Sequence, residues 1–138
     1  MIINWENKTI LLIDNSMLNC QLMSLILKKY LARIVCETDG RKAIGYIQNH
    51  KIDLILTELF FHDVNGIELV KRIRKMNKTV PIIAQTTLFL AGIKREFLNA
   101  GGNEYFSKPI DFEDFIPIVN DYLKTPDETQ RVLKNSNS

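Results

Sequence analysis

Five short apolar segments alternate with five segments of helical spacing, and this order constrains the fold more than any other feature of the chain. The apolar segments span residues 9–13, 34–38, 52–57, 80–85 and 104–107. The third has no polar alternation after Asp53, which is typical of a parallel strand covered on both faces. With right-handed crossovers, strict alternation predicts an α/β fold: a doubly wound, five-stranded parallel sheet with five helices on both faces.

The helical segments are predicted from apolar residues that recur at helical spacing. The first contains Leu18, Leu22, Leu25 and Ile26, the second Ala43, Ile44 and Ile47, and the third Ile67, Leu69, Val70, Ile73 and Met76. A loop and a fourth helix are expected over residues 86–100, ended by Gly101 and Gly102. Asp111 opens the last helix, whose apolar positions are Phe112, Phe115, Ile116, Val119, Tyr122 and Leu123. Pro117 inside it predicts a bend without a stop.

A chain of 138 residues fits a single domain, which we place at residues 8–124. Residues 1–7 are interpreted as an N-terminal extension. Residues 125–138 are polar and rich in Asn and Ser, and are predicted to be a disordered tail.

Charge and hydropathy narrow the classes of partner. The net charge is only +2, which favours neither nucleic acid nor a membrane surface. The longest apolar runs are far shorter than the roughly 20 residues that cross a bilayer, and the N-terminus has no signal-peptide pattern. Cys20 and Cys36 are interpreted as small core residues of a protein in a reducing cytoplasm.

Two carboxylates stand at the ends of predicted strands. Asp14 follows the first apolar segment and Glu58 the third. In doubly wound sheets the functional crevice lies at the carboxyl ends of the strands, where strand order reverses. We therefore expect both carboxylates to meet in that crevice.

Four local motifs, at residues 10–16, 53–66, 80–86 and 101–111, together resemble the receiver domain of response regulators in two-component signalling. The resemblance spans residues 8–123 and implies the flavodoxin-like strand order 2-1-3-4-5. It places Glu58 at the phosphoacceptor position, where the family carries Asp. Thr86, Tyr105 and Lys108 occupy the positions of the switch hydroxyl, the switch aromatic and the phosphoryl-binding lysine.

The chain departs from the family pattern in its reaction centre. Asn15 replaces the second acid of the first motif, and His62 replaces a loop proline. The resemblance implies metal ligands at Asp14, Asn15, Glu58 and the carbonyl of Phe60. With one acid fewer and one longer by a methylene, Mg²⁺ binding is predicted to be weakened, and no cofactor is assigned.

Several functional hypotheses remain open at this point. In the first, the chain is a pseudo-receiver whose Glu58 partly mimics a phosphorylated aspartate by pairing with Lys108. In the second, Glu58 only forms a structural ion pair. A third is a conventional Mg²⁺-dependent phosphoacceptor served by a histidine kinase. A flavodoxin-type small-molecule binder is disfavoured, because no Gly-rich loop follows the first strand.

The leading interpretation is a non-enzymatic bacterial signalling module that acts through protein–protein contacts, either as a stand-alone protein or as a fragment of a larger one. Its partner is expected to be a histidine kinase or a downstream effector, and dimerisation is left open. The expected contact face runs from Ala91 through Ala100, over Glu104–Ser107, and from Asp111 through Leu123. No DNA-binding segment is recognised, so any effect on transcription would be indirect. Of the neighbouring Phe60 and Phe61, one is expected to stay exposed, over the site or at a partner.

Overall fold

The computed structural model describes residues 2–61, 65–87 and 90–124. Within this part of the chain, strands and helices alternate as predicted. In order they are β1 (Thr9–Ile13), α1 (Met17–Leu27), a short 3-10 helix (Lys28–Tyr30), β2 (Arg33–Glu37), α2 (Gly40–Asn49), β3 (Leu54–Thr57), α3 (Gly66–Met76), β4 (Ile82–Thr86), α4 (Ile93–Ala100), β5 (Glu104–Ser107) and α5 (Phe112–Leu123).

The strands form one parallel sheet in the order β2-β1-β3-β4-β5, which confirms the predicted fold class. The central strands β1, β3 and β4 are buried almost throughout, whereas β2 and β5 at the edges are half-buried. As inferred from the sequence, β3 has a continuous apolar run because helices cover both of its faces.

Two hydrophobic cores lie on opposite faces of the sheet. Leu11 and Ile13 of β1 face the core shared with α2, α3 and α4. Ile10 and Leu12 face the core shared with α1 and α5. This alternation follows from the two-residue period of a strand.

Helix α1 forms, but its buried side differs from the apolar stripe read from the sequence. Leu18, Leu22 and Leu25 are 62%, 52% and 66% exposed. The buried side consists of Cys20, Met23, Ser24 and Leu27. Both sides of this helix are apolar, so spacing alone could not select the one that packs on the sheet.

The last helix forms where the sequence predicted it, and its bend at Pro117 stays a prediction. Asp111 caps the N-terminus of α5 by accepting a hydrogen bond from the Glu113 amide, 2.9 Å away. The helix continues through Pro117 to Leu123. Phe115, Ile116 and Val119 are buried on its inner side, and this packing holds the helix together where the proline removes a backbone donor.

The N-terminal residues pack against the domain. Trp5 is 1% exposed and donates from Nε1 to Asn120 Oδ1 of α5 at 2.9 Å. Its ring centroid lies 4.7 Å from that of Tyr30. The segment interpreted as an extension therefore contributes a core side chain, while the boundary at residue 8 stays a prediction. The predicted tail, 125–138, lies outside the described residues.

Candidate switch site

The predicted site residues converge at the carboxyl edge of the sheet. Asp14 follows β1, Glu58 follows β3, Thr86 ends β4 and Lys108 follows β5. Parallel strands place these positions on the same edge, as strand order indicated for Asp14 and Glu58 and as the resemblance implied for Thr86 and Lys108. Asp14, Glu58 and Thr86 are buried, with exposures of 1%, 4% and 0%.

The Glu58 carboxylate bonds to three elements at once. Its Oε1 accepts from the backbone N–H groups of Leu59 at 2.7 Å and Phe60 at 3.2 Å, and from the Thr86 hydroxyl. Its Oε2 lies 3.3 Å from Lys108 Nζ. The side chain thereby ties the loop after β3 to the ends of β4 and β5.

Lys108 bridges the two acids of the site. Its ammonium lies 3.0 Å from Asp14 Oδ2 and 3.3 Å from Glu58 Oε2. The other oxygen of Asp14 accepts the Ser16 amide at 2.9 Å. Two buried carboxylates repel each other and are costly to desolvate, so the shared ammonium is what makes this pairing tolerable.

Tyr105 lies close enough to the site for the charge of Glu58 to affect the pKa of its phenol. It lies half-buried on β5, with its ring centroid 6.3 Å from that of Phe97 on α4. Burial raises the pKa of its phenol, and the negative charge of Glu58 raises it further. A hydrogen bond with Ser107 acts in the opposite direction on this pKa.

The two carboxylates among the predicted magnesium ligands are engaged by protein donors in this arrangement. Each carboxylate oxygen of Asp14 and Glu58 already faces a hydrogen-bond donor, and Lys108 stands between the two acids. Asn15 is exposed. Across residues 2–61, 65–87 and 90–124, no group of three or more His, Cys, Asp or Glu side chains is placed to hold a metal. Mg²⁺ is commonly bound through one or two carboxylates plus water molecules, and here it would have to displace Lys108 from between Asp14 and Glu58, so weakened Mg²⁺ binding stays a prediction.

The loop after β3 is held close to helix α3. A Cβ at Gly66 would lie 2.3 Å from the Leu59 carbonyl oxygen, so only glycine permits this approach. Of the adjacent aromatics, Phe61 is 8% exposed and Phe60 52%, as expected from the sequence. His62 lies outside the described residues.

The sequence reading missed one surface, an apolar groove between α1 and the β5–α5 connection. The groove has a volume of ≈ 560 Å³ and is lined mainly by Leu22, Leu25, Ile26, Pro109, Ile110 and Phe112. One sequence signal could have revealed it: Met17–Leu27 contains no charged residue, which is unusual for a helix facing solvent on one side.

Comparison with known proteins places the chain in a family. Residues 10–120 match the model of the response regulator receiver domain. The chain therefore belongs to this family and contains a receiver domain of two-component signalling.

Relatives of known sequence are longer than this chain. The transcriptional regulatory protein ZraR of Escherichia coli (strain K12) is 25% identical over 109 residues, which cover 79% of this chain and 25% of that protein. Histidine kinase 3 of Arabidopsis thaliana is 27% identical over 146 residues, covering 89% of this chain and 14% of that protein. The chain thus spans about a quarter or less of the length of these relatives.

Solved receiver structures superimpose closely on the fold. A two-component response regulator from Clostridium difficile is 33% identical, with a TM-score of 0.79 over 84% of this chain and 95% of that one. The receiver domain of the sensor histidine kinase PA1611 from Pseudomonas aeruginosa PAO1 is 26% identical, with a TM-score of 0.77 over 86% of this chain and 98% of that one. That structure holds a magnesium ion in its active-site cleft.

Within the described residues, no helix is long and apolar enough to cross a membrane.

Proposed function

We propose that this receiver domain transmits a signal by protein–protein contacts without being phosphorylated, with Glu58 partly taking the place of a phosphorylated aspartate. One observation carries the proposal. The Glu58 carboxylate contacts Thr86, Lys108 and the loop amides after β3 simultaneously. Those are the groups that a phosphoryl group on a shorter side chain at this position would be expected to engage, by the resemblance to receiver domains.

The extra methylene of Glu58 explains how this is possible. It moves the carboxylate about 1.3–1.5 Å further from the backbone than an aspartate would reach. Charge-assisted hydrogen bonds then draw Thr86 and Lys108 toward β3. One carboxylate supplies less charge than a phosphoryl group, so the mimicry is partial. The expected result is a population weighted toward the active-like conformer in the absence of a phosphodonor.

The proposed partners are cytoplasmic signalling proteins, either a histidine kinase or a downstream effector. The face formed by α4, β5 and α5 has an exposed leucine, Leu98, at 41%. The groove beside α1 offers a second apolar contact surface. Leu98→Gln and Leu25→Gln should each leave stability within about 0.5 kcal/mol, and the one that weakens partner binding identifies the contact face.

Incubation with a small-molecule phosphodonor and Mg²⁺ tests the chemistry. We expect no phosphoryl adduct by intact-protein mass spectrometry, and no change in amide NMR shifts when beryllofluoride and Mg²⁺ are added. The Glu58→Ala variant should shift the amides of Leu59, Phe60 and Thr86, because each depends on the carboxylate. Stoichiometric labelling of the wild type, or saturable beryllofluoride binding, would instead support a conventional phosphoacceptor.

A conventional phosphoacceptor is the alternative function, because Asp14, Thr86 and Lys108 are all present at the site. Glu58→Asp sharpens the distinction, since it restores the family's acceptor and leaves Asn15 unchanged. Labelling of Glu58→Asp but not of the wild type would assign the loss of phosphorylation to the length of residue 58. If neither the wild type nor Glu58→Asp is labelled, the loss of phosphorylation would be assigned to the missing acid at position 15 as well as to residue 58.

A further inference from the structure

The two cysteines lie on neighbouring elements and face the same small region. Cys20 is on the buried side of α1, 1% exposed, and Cys36 is half-buried on the edge strand β2. Cys20 Sγ lies 3.9 Å from the carbonyl oxygen of Leu12, and Leu12 is paired in register with Cys36. The Cys20 sulfur therefore sits over the pair of strands to which Cys36 belongs.

One further contact places Cys36 beside α1. Ser24, one turn after Cys20 on that helix, has its Oγ 3.3 Å from Cys36 Sγ. Burial raises the pKa of the Cys20 thiol, and the neighbouring Cys36 thiol raises this pKa further, which agrees with the proximity of the two sulfurs.

We propose that Cys20 and Cys36 form an oxidisable thiol pair that closes a disulfide between α1 and β2. The two side chains come from elements that are already packed together, so bridging them asks for little movement of the backbone. Both thiols are free in this structure. The site is distinct from the Glu58 cluster and requires no phosphoryl chemistry.

A hydroperoxide can supply the oxidising equivalents. Cys36, the more exposed thiol, attacks the peroxide: a sulfur–oxygen bond forms, the oxygen–oxygen bond breaks, and an alcohol or water leaves. The sulfur of Cys20 then attacks the sulfenic acid of Cys36. A sulfur–sulfur bond forms, and the leaving hydroxide takes the Cys20 proton to give water. Two thiols lose two electrons and two protons, and the hydroperoxide is reduced.

Burial of the Cys20 thiol disfavours its deprotonation, so this second step is expected to limit the rate.

The bond would tether a helix that is connected to the switch site. Ser16 caps α1, and its amide is bound by Asp14, the acid paired with Lys108. The exposed leucines of α1 lie on the same helix. Closing the loop between residues 20 and 36 should raise the thermal midpoint by roughly 5–10 °C, chiefly by restricting the unfolded chain.

Peptide mapping of the full chain tests the proposal. Lys28, Lys29 and Arg33 lie between the cysteines, so trypsin separates them unless a disulfide joins the fragments. After treatment with hydrogen peroxide we expect the cross-linked peptides, parallel loss of both free thiols and a raised melting midpoint. Dithiothreitol should reverse all three.

Cys36→Ser is the control, because its half-buried position tolerates the change better than the interior position of Cys20. It should show no cross-link and no rise in midpoint. Retention of both thiols in the wild type, sulfinic acid at Cys36 beside a free Cys20, disulfides only between two chains, or an unchanged or lowered midpoint after cross-linking would each overturn the proposal.

Discussion

The Lys108 ammonium is the single cation that separates two buried acids in the described part of the site, Asp14 and Glu58. Lys108→Met keeps most of the side-chain volume but removes the charge. We expect it to lower the free energy of unfolding by about 3 kcal/mol, because both carboxylates lose their partner in a buried setting. Chemical denaturation with urea measures the change.

The matched control is Lys71→Met, which breaks a pair with Glu68 on the surface of α3. The two side chains are 53% and 61% exposed. Their contribution should be within about 0.5 kcal/mol, since solvent screens an exposed pair. If the two variants were equally stable, the ammonium of Lys108 would not hold the site together.

The pKa of the Tyr105 phenol depends on the charge of Glu58. Burial and then the Glu58 carboxylate raise the pKa of the phenol, so Glu58→Gln should lower this pKa while leaving it above its ordinary value. The sign follows from electrostatics, because a nearby anion disfavours forming the phenolate. A spectrophotometric titration, with Tyr105→Phe subtracted to isolate the signal, measures the shift. An unchanged titration would mean that Glu58 does not face β5 in solution.

Much of this site could be predicted residue by residue. Strand order placed Asp14 and Glu58 at one edge, since each follows a strand of a parallel sheet, and the resemblance to receiver domains added Thr86 and Lys108. The hydrogen bonds of Glu58 to its own loop amides were not predicted. They depend on the conformation of the loop after β3, which has no periodic signal.

At the level of elements, Gly66 and Gly45, both on helices, have opposite roles. A Cβ at Gly66 would meet the backbone of Leu59 at 2.3 Å, whereas a Cβ at Gly45 meets nothing within 4 Å. Gly66→Ala should therefore destabilise the protein by about 3 kcal/mol through overpacking. Gly45→Ala should stabilise it by up to about 1 kcal/mol, because alanine favours a helix interior. Thermal and urea unfolding compare the two, and similar values would contradict the close loop–helix contact.

Helix α1 shows where element-scale prediction fails. Its existence followed from the sequence, yet the predicted leucines lie on the exposed side. Both sides of the helix carry apolar residues, so amphipathic spacing cannot select a face. The outcome is set by which residues fit between β1 and β2, and the small side chains of Cys20 and Ser24 allow the close approach.

Across the whole molecule, Trp5 joins the start of the chain to its last helix. It is 1% exposed and bonds to Asn120, 115 residues away along the sequence. Trp5→Ala should cost about 3–5 kcal/mol, since a large buried ring leaves a cavity. Ile2→Ala is the control: Ile2 is 96% exposed, and its loss should change stability by less than about 0.5 kcal/mol. Circular dichroism measures both, and equal effects would show that the N-terminal segment is not part of the cooperative unit.

The sequence by itself determined the order of strands and helices, the parallel sheet and the meeting of Asp14 with Glu58. These follow from local spacing and chain order, which are short-range properties. Only the tertiary structure decided which side of α1 is buried, how Glu58 is shared among Thr86, Lys108 and the loop amides, and that the two cysteines approach each other. Those features depend on side chains distant in sequence competing for the same space and the same hydrogen-bond partners, and no local pattern encodes that competition.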